Sequence, residues 1–390
     1  MFAAPAPDRL ACRMRFPDDV PTLSDGVVTL RAHRDDDVPA LTEQATDPVM
    51  VAWTTVPVPS SNDSSRRFAT EIIPAAWESG RSWAFAVEAA DENGTPRFCG
   101  TVELRDEGDR RAEIAYGAHP WARGRGLMER ACRLLLDWGF REQRLETVIW
   151  WANQGNWASR RLAWRLGFSF DGSLRRWLPQ RGELLDAWVG VLLHGDPREP
   201  RTPWLDAPRI DGSTVSLRAF RDDDVPRVVE ACSDETTRHW LAQMPTPYGR
   251  ADAEAYLESR REQLASASGI TWAVVDPRSD VLLAALSLFD VQLGRMAEVG
   301  YWTHPDARGR GVMTAAVRLA VRHAFVPAED GGLGLRRLYV LHADGNVGSQ
   351  RVIERNGFTL VGRERKQAQL RDGRYVDHLV YDLLADELTR

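Results

Sequence analysis

Two tandem α/β (α+β) domains, each a mixed sheet flanked by helices, are predicted from three features of the sequence. The chain has 390 residues, too long for one ordinary compact domain and suited to two of nearly equal size. It is 43% hydrophobic and 27% charged, so each half can bury a core and disorder is excluded. It is also written twice. "RAHRDDDVPA" from Arg31 returns as "RAFRDDDVPR" from Arg218, "AEIAYGAHPWARGRGLM" as "AEVGYWTHPDARGRGVM", and "GNWASRRLAWRLGF" as "GNVGSQRVIERNGF". The spacing between copies drifts by only a few residues, so the order of elements is kept. A long period repeated only twice means duplicated domains, not a solenoid.

The boundaries follow from composition. Residues 1–22 form an N-terminal extension and 23–196 the first domain. Residues 197–209, with Pro197, Pro200, Pro203 and Pro208, form a linker too rich in proline for helix or central strand, and 210–390 form the second domain. Within each copy, "VVTLRAH" and "TVSLRAF" alternate as strands. "RDDDVP" then opens a helix, with Asp35–Asp37 and Asp222–Asp224 as caps; a metal-binding triad is the sharper alternative. "SWAFAVE" and "ITWAVVD" are strands, as are "FCGTVELR" and "LLAALSLF". The strands "AEIAYGAHP" and "AEVGYWTHP" stop at Pro120 and Pro305. Helical spacing follows in Leu127, Met128, Ala131, Leu134, Leu135 and Trp138, and in Val312, Met313, Ala316, Leu319, Ala320 and Ala324. Each copy closes on an apolar strand, "LLDAWVGVLL" or "YVDHLVYDLL". Hairpin neighbours mixed with helical crossovers give a mixed sheet.

Composition narrows the function classes. The net charge is −6 with no basic tract, which argues against nucleic acid as the main partner. Cys12, Cys99, Cys132 and Cys232 have no metal spacing and suit a reducing compartment. The first twenty residues lack the apolar core of a signal peptide, and no run approaches a membrane span, so a cytoplasmic protein without a membrane partner is expected. Lys366 is the only lysine.

The chemistry lies in one turn. Arg123-Gly124-Arg125-Gly126-Leu127-Met128 and Arg308-Gly309-Arg310-Gly311-Val312-Met313 each sit between a strand and an amphipathic helix. Glycines let the backbone approach a ligand, the first helical turn presents unpaired amides, and arginines add charge, which suits a phosphate or pyrophosphate. A P-loop is excluded because no Gly-Lys-Ser/Thr follows. A dinucleotide fingerprint is excluded because Glu129 and Thr314 stand where a third glycine is required.

With "HPDARGRGVMTAAVRLAVRHAF" and "ADGNVGSQRVIERNGF", the chain resembles the GNAT N-acetyltransferase superfamily, in its RimJ/RimL-type branch, in two tandem copies. The resemblance implies a mostly antiparallel sheet with a splayed parallel strand pair. It also implies acetyl-CoA as cosubstrate without a metal, and direct attack of an amine on the thioester. Arg308, Gly311 and Met313, and Arg123, Gly126 and Met128, match the pyrophosphate-binding pattern. Asn346 and Ser349, with Asn156 and Ser159, match the Asn-x-x-Ser of this branch, where asparagine meets pantetheine and serine sits near the sulfur; helix capping is the alternative. Glu298 and Glu113, placed identically on the strand entering the turn, are the candidate bases, with Glu103 second in copy one. His119 and His304 precede proline and read as strand ends. Ala163 and Ile353 occupy the place where many members carry a tyrosine acid.

The branch favours the α-amino group of a peptide or protein N terminus as acceptor, with an antibiotic or small-molecule amine as the alternative. One copy, the first by its departures from the pattern, is then a non-catalytic acyl-CoA-binding or recognition module. Eleven of the fifteen tryptophans fall in copy one, which implies either a tryptophan-rich core or an acceptor groove for an apolar or heteroaromatic ligand lined by Trp53 and Trp77. Duplication within one chain predicts a monomer with pseudo-twofold internal symmetry.

Overall fold

The computed structural model describes residues 20–388; residues 1–19 of the N-terminal extension, with Cys12, and the last two residues lie outside it. The chain divides into two compact units between Arg201 and Thr202.

In unit 1 the chain enters through β1 (Leu23–Ser24) and β2 (Val28–Arg31). Helices α1 (Val38–Thr46), α2 (Pro48–Trp53), α3 (Asn62–Arg67) and α4 (Ile73–Glu78) follow. Then come β3 (Ser82–Ala90), β4 (Pro96–Asp106), β5 (Arg111–Ala118), α5 (Leu127–Arg141), β6 (Thr147–Asn153), α6 (Trp157–Arg165), β7 (Gly172–Gln180) and β8 (Glu183–Leu193). The eight strands form one sheet, ordered β1-β2-β3-β4-β5-β6-β8-β7, in which only β5 and β6 run parallel.

Unit 2 repeats the order with three helices in place of four: β9 (Ile210–Asp211), β10 (Ser216–Arg218), α7 (Val225–Ser233), α8 (Glu235–Trp240), α9 (Arg250–Ala265) and β11 (Ile270–Val275). It continues through β12 (Leu282–Gln292), β13 (Met296–Thr303), α10 (Val312–Phe325), β14 (Arg337–Ala343), α11 (Val347–Arg355), β15 (Thr359–Gln369) and β16 (Tyr375–Leu384). Its parallel pair is β13 with β14.

The "DDD" runs build the junction between first strand and first helix. Asp37 accepts the Arg34 N–H at 2.8 Å and takes the buried Arg31 guanidinium through two bonds of 2.8 Å. Asp224 does the same with Arg221 and Arg218, at 2.8 to 2.9 Å. The arginine in "LRA" and the third aspartate are therefore one buried ion pair, which occupies the carboxylate the metal reading would need.

The sequence reading missed β7 and β15. Both are edge strands, exposed along most of their length and rich in arginine, so neither shows alternation. Each is bulged. Arg176 and Lys366 take left-handed backbone (φ 51° and 56°), and their N–H groups are accepted by Asp186 and Asp377 at 2.7 and 2.9 Å.

Tryptophan content in unit 1 is mainly core. Trp77, Trp83, Trp138, Trp150 and Trp188 are buried, and Trp77 packs edge-on to Phe85 while donating its Nε1–H to the Ala84 carbonyl at 2.9 Å. This corrects the expectation that Trp77 lines an acceptor groove; of that pair only Trp53 reaches solvent. Trp77→Ala is expected to lower stability by about 3–5 kcal/mol, as for other large-to-small core changes, measured by denaturant unfolding.

Candidate acyl-transfer sites

In unit 1, β5 and β6 are paired only from Arg111 opposite Thr147 to Ile114 opposite Trp150. Beyond that point β5 stays on β4 as far as Ala118 and β6 stays on β8 as far as Asn153, so the two arms part. The His119 N–H bonds the Cys99 carbonyl at 2.9 Å, and strand backbone alternates, so odd-numbered residues of β5 bond β4. The N–H groups of Tyr116 and Ala118 therefore face the opening, where β6 no longer meets them. In unit 2 pairing ends at Glu298 opposite Tyr339, and His304 bonds Leu283 at 2.9 Å, so the N–H groups of Tyr301 and Thr303 face the opening. Unpaired strand amides beside a gap suit an amide-rich, extended ligand.

The arginine–glycine turn stands at the open end. Gly124 and Gly126 have φ 72°, and Gly309 and Gly311 have φ 71° and 75°. A Cβ at any of the four would meet nothing within 4 Å, so conformation and access, not crowding, select glycine. Gly126 and Gly311 are the residues that precede α5 and α10, and neither helix has a side-chain cap. The first amides of both helices, from Leu127 and Met128 and from Val312 and Met313, are left for an anion. The Leu127, Val312 and Met313 side chains are buried, so these residues offer the ligand their backbone.

The first arginine of each turn has a partner within its own unit. Arg123 pairs with Asp47, the cap of α2, and bonds the Ala118 carbonyl at 3.3 Å. Arg308 pairs with Asp234, the cap of α8, and bonds Thr237 Oγ1 at 2.7 Å. The Arg123 guanidinium, with the Met50 and Val49 amides, holds the Asp47 carboxyl below the ordinary aspartate value. These arginines tie the turn to the helix crossing the gap. The second arginines are more available. Arg125 lies 5.1 Å over the Trp121 ring, with Arg97 at 5.2 Å from the same ring, and Arg310 bonds the Asp306 carbonyl at 3.3 Å.

Asn156 and Asn346 each cap their helix, accepting the N–H of Ser159 or Ser349 at 3.1 Å. Their Nδ2 groups bond no described residue. Ser159 and Ser349 have a partner that sequence reasoning missed. The Tyr116 hydroxyl lies 2.9 Å from Ser159 Oγ, and the Tyr301 hydroxyl lies 2.8 Å from Ser349 Oγ. Burial pushes the Tyr301 phenol up to about 12. The signal was a tyrosine at the same place in both copies. Unit 1 adds Trp150, whose Nε1–H is donated to Ser159 Oγ at 3.0 Å; Val340 stands there in unit 2.

Glu113 and Glu298 lie on the opposite face of the same strands. Directly opposed residues of antiparallel strands share a face, so Arg105 stands beside Glu113 and Phe289 beside Glu298. Arg105 bonds both Glu113 (3.2 Å) and Glu103 (3.0 Å). Burial raises both Glu113 and Glu298 above the ordinary glutamate value; in Glu113 Arg105 opposes the shift while Glu107 and Glu103 add to it, and in Glu298 Asp290 adds to it while the Tyr339 hydroxyl opposes it. His119 and His304 end these strands, cap the next turn, and approach Glu43 (3.3 Å) and Glu230 (3.0 Å). Each strand pair thus has a carboxylate where the pairing ends, on the sheet face opposite the tyrosine–serine pair.

A sheet split by a wedge, with free amides along one arm and an anion-binding helix start above it, is the frame of an acyl-CoA-dependent acyltransferase. The Acetyltransferase (GNAT) domain model matches residues 28–169 and again 214–359, and the chain belongs to that family twice over. Among its relatives, YdaF of Bacillus subtilis (strain 168), named as a ribosomal N-acetyltransferase, is 31% identical over 177 residues, 44% of this chain and 88% of that protein. The ribosomal-protein-serine acetyltransferase of Escherichia coli (strain K12) is 30% identical over 110 residues, 28% of this chain and 58% of that protein. Mycobacterium smegmatis RimJ, solved with CoA-disulfide, has 20% identity and a TM-score of 0.41 over 45% of this chain and 84% of that one.

Proposed function

We propose that the chain transfers the acetyl group of acetyl-CoA to the α-amino group of a peptide or protein N terminus. The observation that carries this reading is the wedge with unpaired amides, a raised glutamate on one face and a tyrosine–serine pair on the other. The amides at the start of α5 and α10 hold the pyrophosphate, with Arg125 and Arg310 beside it and the Asn156 and Asn346 amides facing the pantetheine. The amides facing the wedge, from Tyr116 and Ala118 or Tyr301 and Thr303, stabilise the oxyanion. The glutamate takes a proton from the incoming ammonium, directly or through water, and releases it to solvent. As the C–N bond forms and the C–S bond breaks, the serine hydroxyl protonates the sulfur and is reprotonated from the nitrogen side through solvent. Each turnover therefore yields the amide, CoA thiol and one proton.

Unit 2 is the better equipped for proton removal. Glu298 stands beside Phe289 and the neutral Tyr339 hydroxyl, whereas Glu113 faces a guanidinium, whose full charge favours the ionised form more strongly and weakens it as a base. That contrast supports a second reading, in which unit 2 catalyses and unit 1 binds and recognises. The names of the ribosomal relatives favour a protein N terminus over a small amine as acceptor. The test is CoA release with peptides bearing a free N-terminal Ser or Ala, the same peptides N-terminally blocked, and aminoglycosides. Release with free peptides alone is expected. Release with aminoglycosides alone replaces the acceptor class.

A further inference from the structure

The two units differ at the rim of the wedge, where α2 or α8 ends above the second arm. In unit 1 this place is a cavity of about 330 Å³ lined by Ala52, Trp53, Asn153, Gln154, Leu185 and Asp186. It adjoins the wedge on two sides: Asn153 ends β6, and Trp53 ends α2, the helix whose cap holds Arg123.

The hydrogen bonds fix which polar atoms the cavity can offer. The Ala52 carbonyl can only accept, and the Gln180 Nε2–H donates to it at 2.9 Å. Gln180 must then present Oε1 to Asn153, which donates its Nδ2–H there. The Asn153 side-chain oxygen, Oδ1, is left without a partner among the described residues. Asp186 accepts the Arg176 N–H through Oδ1, and no described cation lies within ion-pair distance of it. A carbonyl oxygen, an unpaired carboxylate and the face of an indole are all groups that receive positive charge.

Unit 2 shows the same scaffold closed. Trp240 stands for Trp53, but Ala343 and Leu370 replace Asn153 and Gln180, and these pack with Ala368 and Val376 as an apolar cluster. Asp377, in the place of Asp186, is paired with Arg363 at 3.1 Å; Ser173 occupies that arginine's position in unit 1. The chain therefore contains its own reference for a filled and neutralised version of the site.

We propose that the unit 1 cavity binds a cationic group of the acceptor, a guanidinium or ammonium separate from the amine to be acetylated, between the Trp53 ring and the Asp186 carboxylate. This rests on the reading of the wedge as the acyl-transfer site and names the acceptor class that unit 1 selects: amines carrying a second positive charge.

The test uses the full chain and two probes, the amide of Ala-Arg and the amide of Ala-citrulline, in which a neutral urea of the same shape replaces the charged guanidinium. Calorimetric titration should give about tenfold tighter binding of the arginine peptide. Asp186→Asn keeps the Oδ1 acceptor for Arg176 and should abolish that preference. Asn153→Ala with Gln180→Leu, which writes the residues of unit 2 into unit 1, should abolish it too, and both variants should titrate acetyl-CoA as the parent does. Equal affinity for the two probes, no binding of either, or a preference that survives Asp186→Asn would overturn the proposal. CoA release separates this from the functional reading. A preference lost in Asp186→Asn without CoA release upholds the cavity and refutes N-terminal transfer; equal binding with CoA release from both does the reverse.

Discussion

Calorimetric titration of acetyl-CoA into the intact chain is expected to show two binding events, one abolished by Gly311→Glu and the other by Gly126→Glu. Both glycines sit at φ near 70° with open space where a Cβ would lie. A non-glycine residue there adds roughly 1–2 kcal/mol of left-handed strain. Glutamate also sets a carboxylate against the phosphates the helix start is built to receive, so the total loss should be on the order of 3 kcal/mol, about a hundredfold or more in affinity. Gly311→Ala, which carries only the strain, should lose far less. A single event removed only by Gly311→Glu would assign cofactor binding to unit 2 alone and leave unit 1 to recognition.

Glu298→Gln is expected to lower kcat by about 10²–10⁴, the range for loss of a general base. The pH profile carries the assignment. Burial raises the Glu298 carboxyl, and the base works ionised, so kcat/KM should rise with pH through a value above that of an ordinary glutamate. The acceptor amine adds its own rise near its pKa of about 8. The variant should keep only the second. Folding carries the opposite sign: a carboxyl raised in the folded state binds protons more tightly there, so its contribution to stability falls as pH climbs from the unfolded to the folded value. Glu113→Gln should cost less, because Arg105 already pairs with that carboxylate.

What could be read in advance depended on whether a residue acts through its local conformation or through a distant partner. The turn was legible because its glycines answer to their own φ angles and its amides to the helix that follows. The repeat made the order of most elements along the chain readable, since each copy checks the other. Tyr116 and Tyr301 stand at the same place in both copies, but their role was hidden because it comes from Ser159 and Ser349, brought close only when α6 and α11 pack on the sheet. The contrast between Glu113 and Glu298 was hidden for a similar reason: it lies in what β4 and β12 place opposite, and so in strand register. Edge strands β7 and β15 are largely exposed, and their apolar residues show no alternation that would mark them as sheet.

The parting of the two parallel arms has a consequence for handling the protein. A strand with free amides is an edge, and edges recruit other strands. This chain carries two such edges inside its sheets, at Tyr116–Ala118 and Tyr301–Thr303, where the amides lack a strand neighbour. On the proposed reading, the pantetheine arm of CoA takes the place of the missing neighbour and should protect those amides from hydrogen exchange and from intermolecular pairing. Stored with CoA, the protein should resist aggregation longer than stored without it, and the slowed amides should be those four.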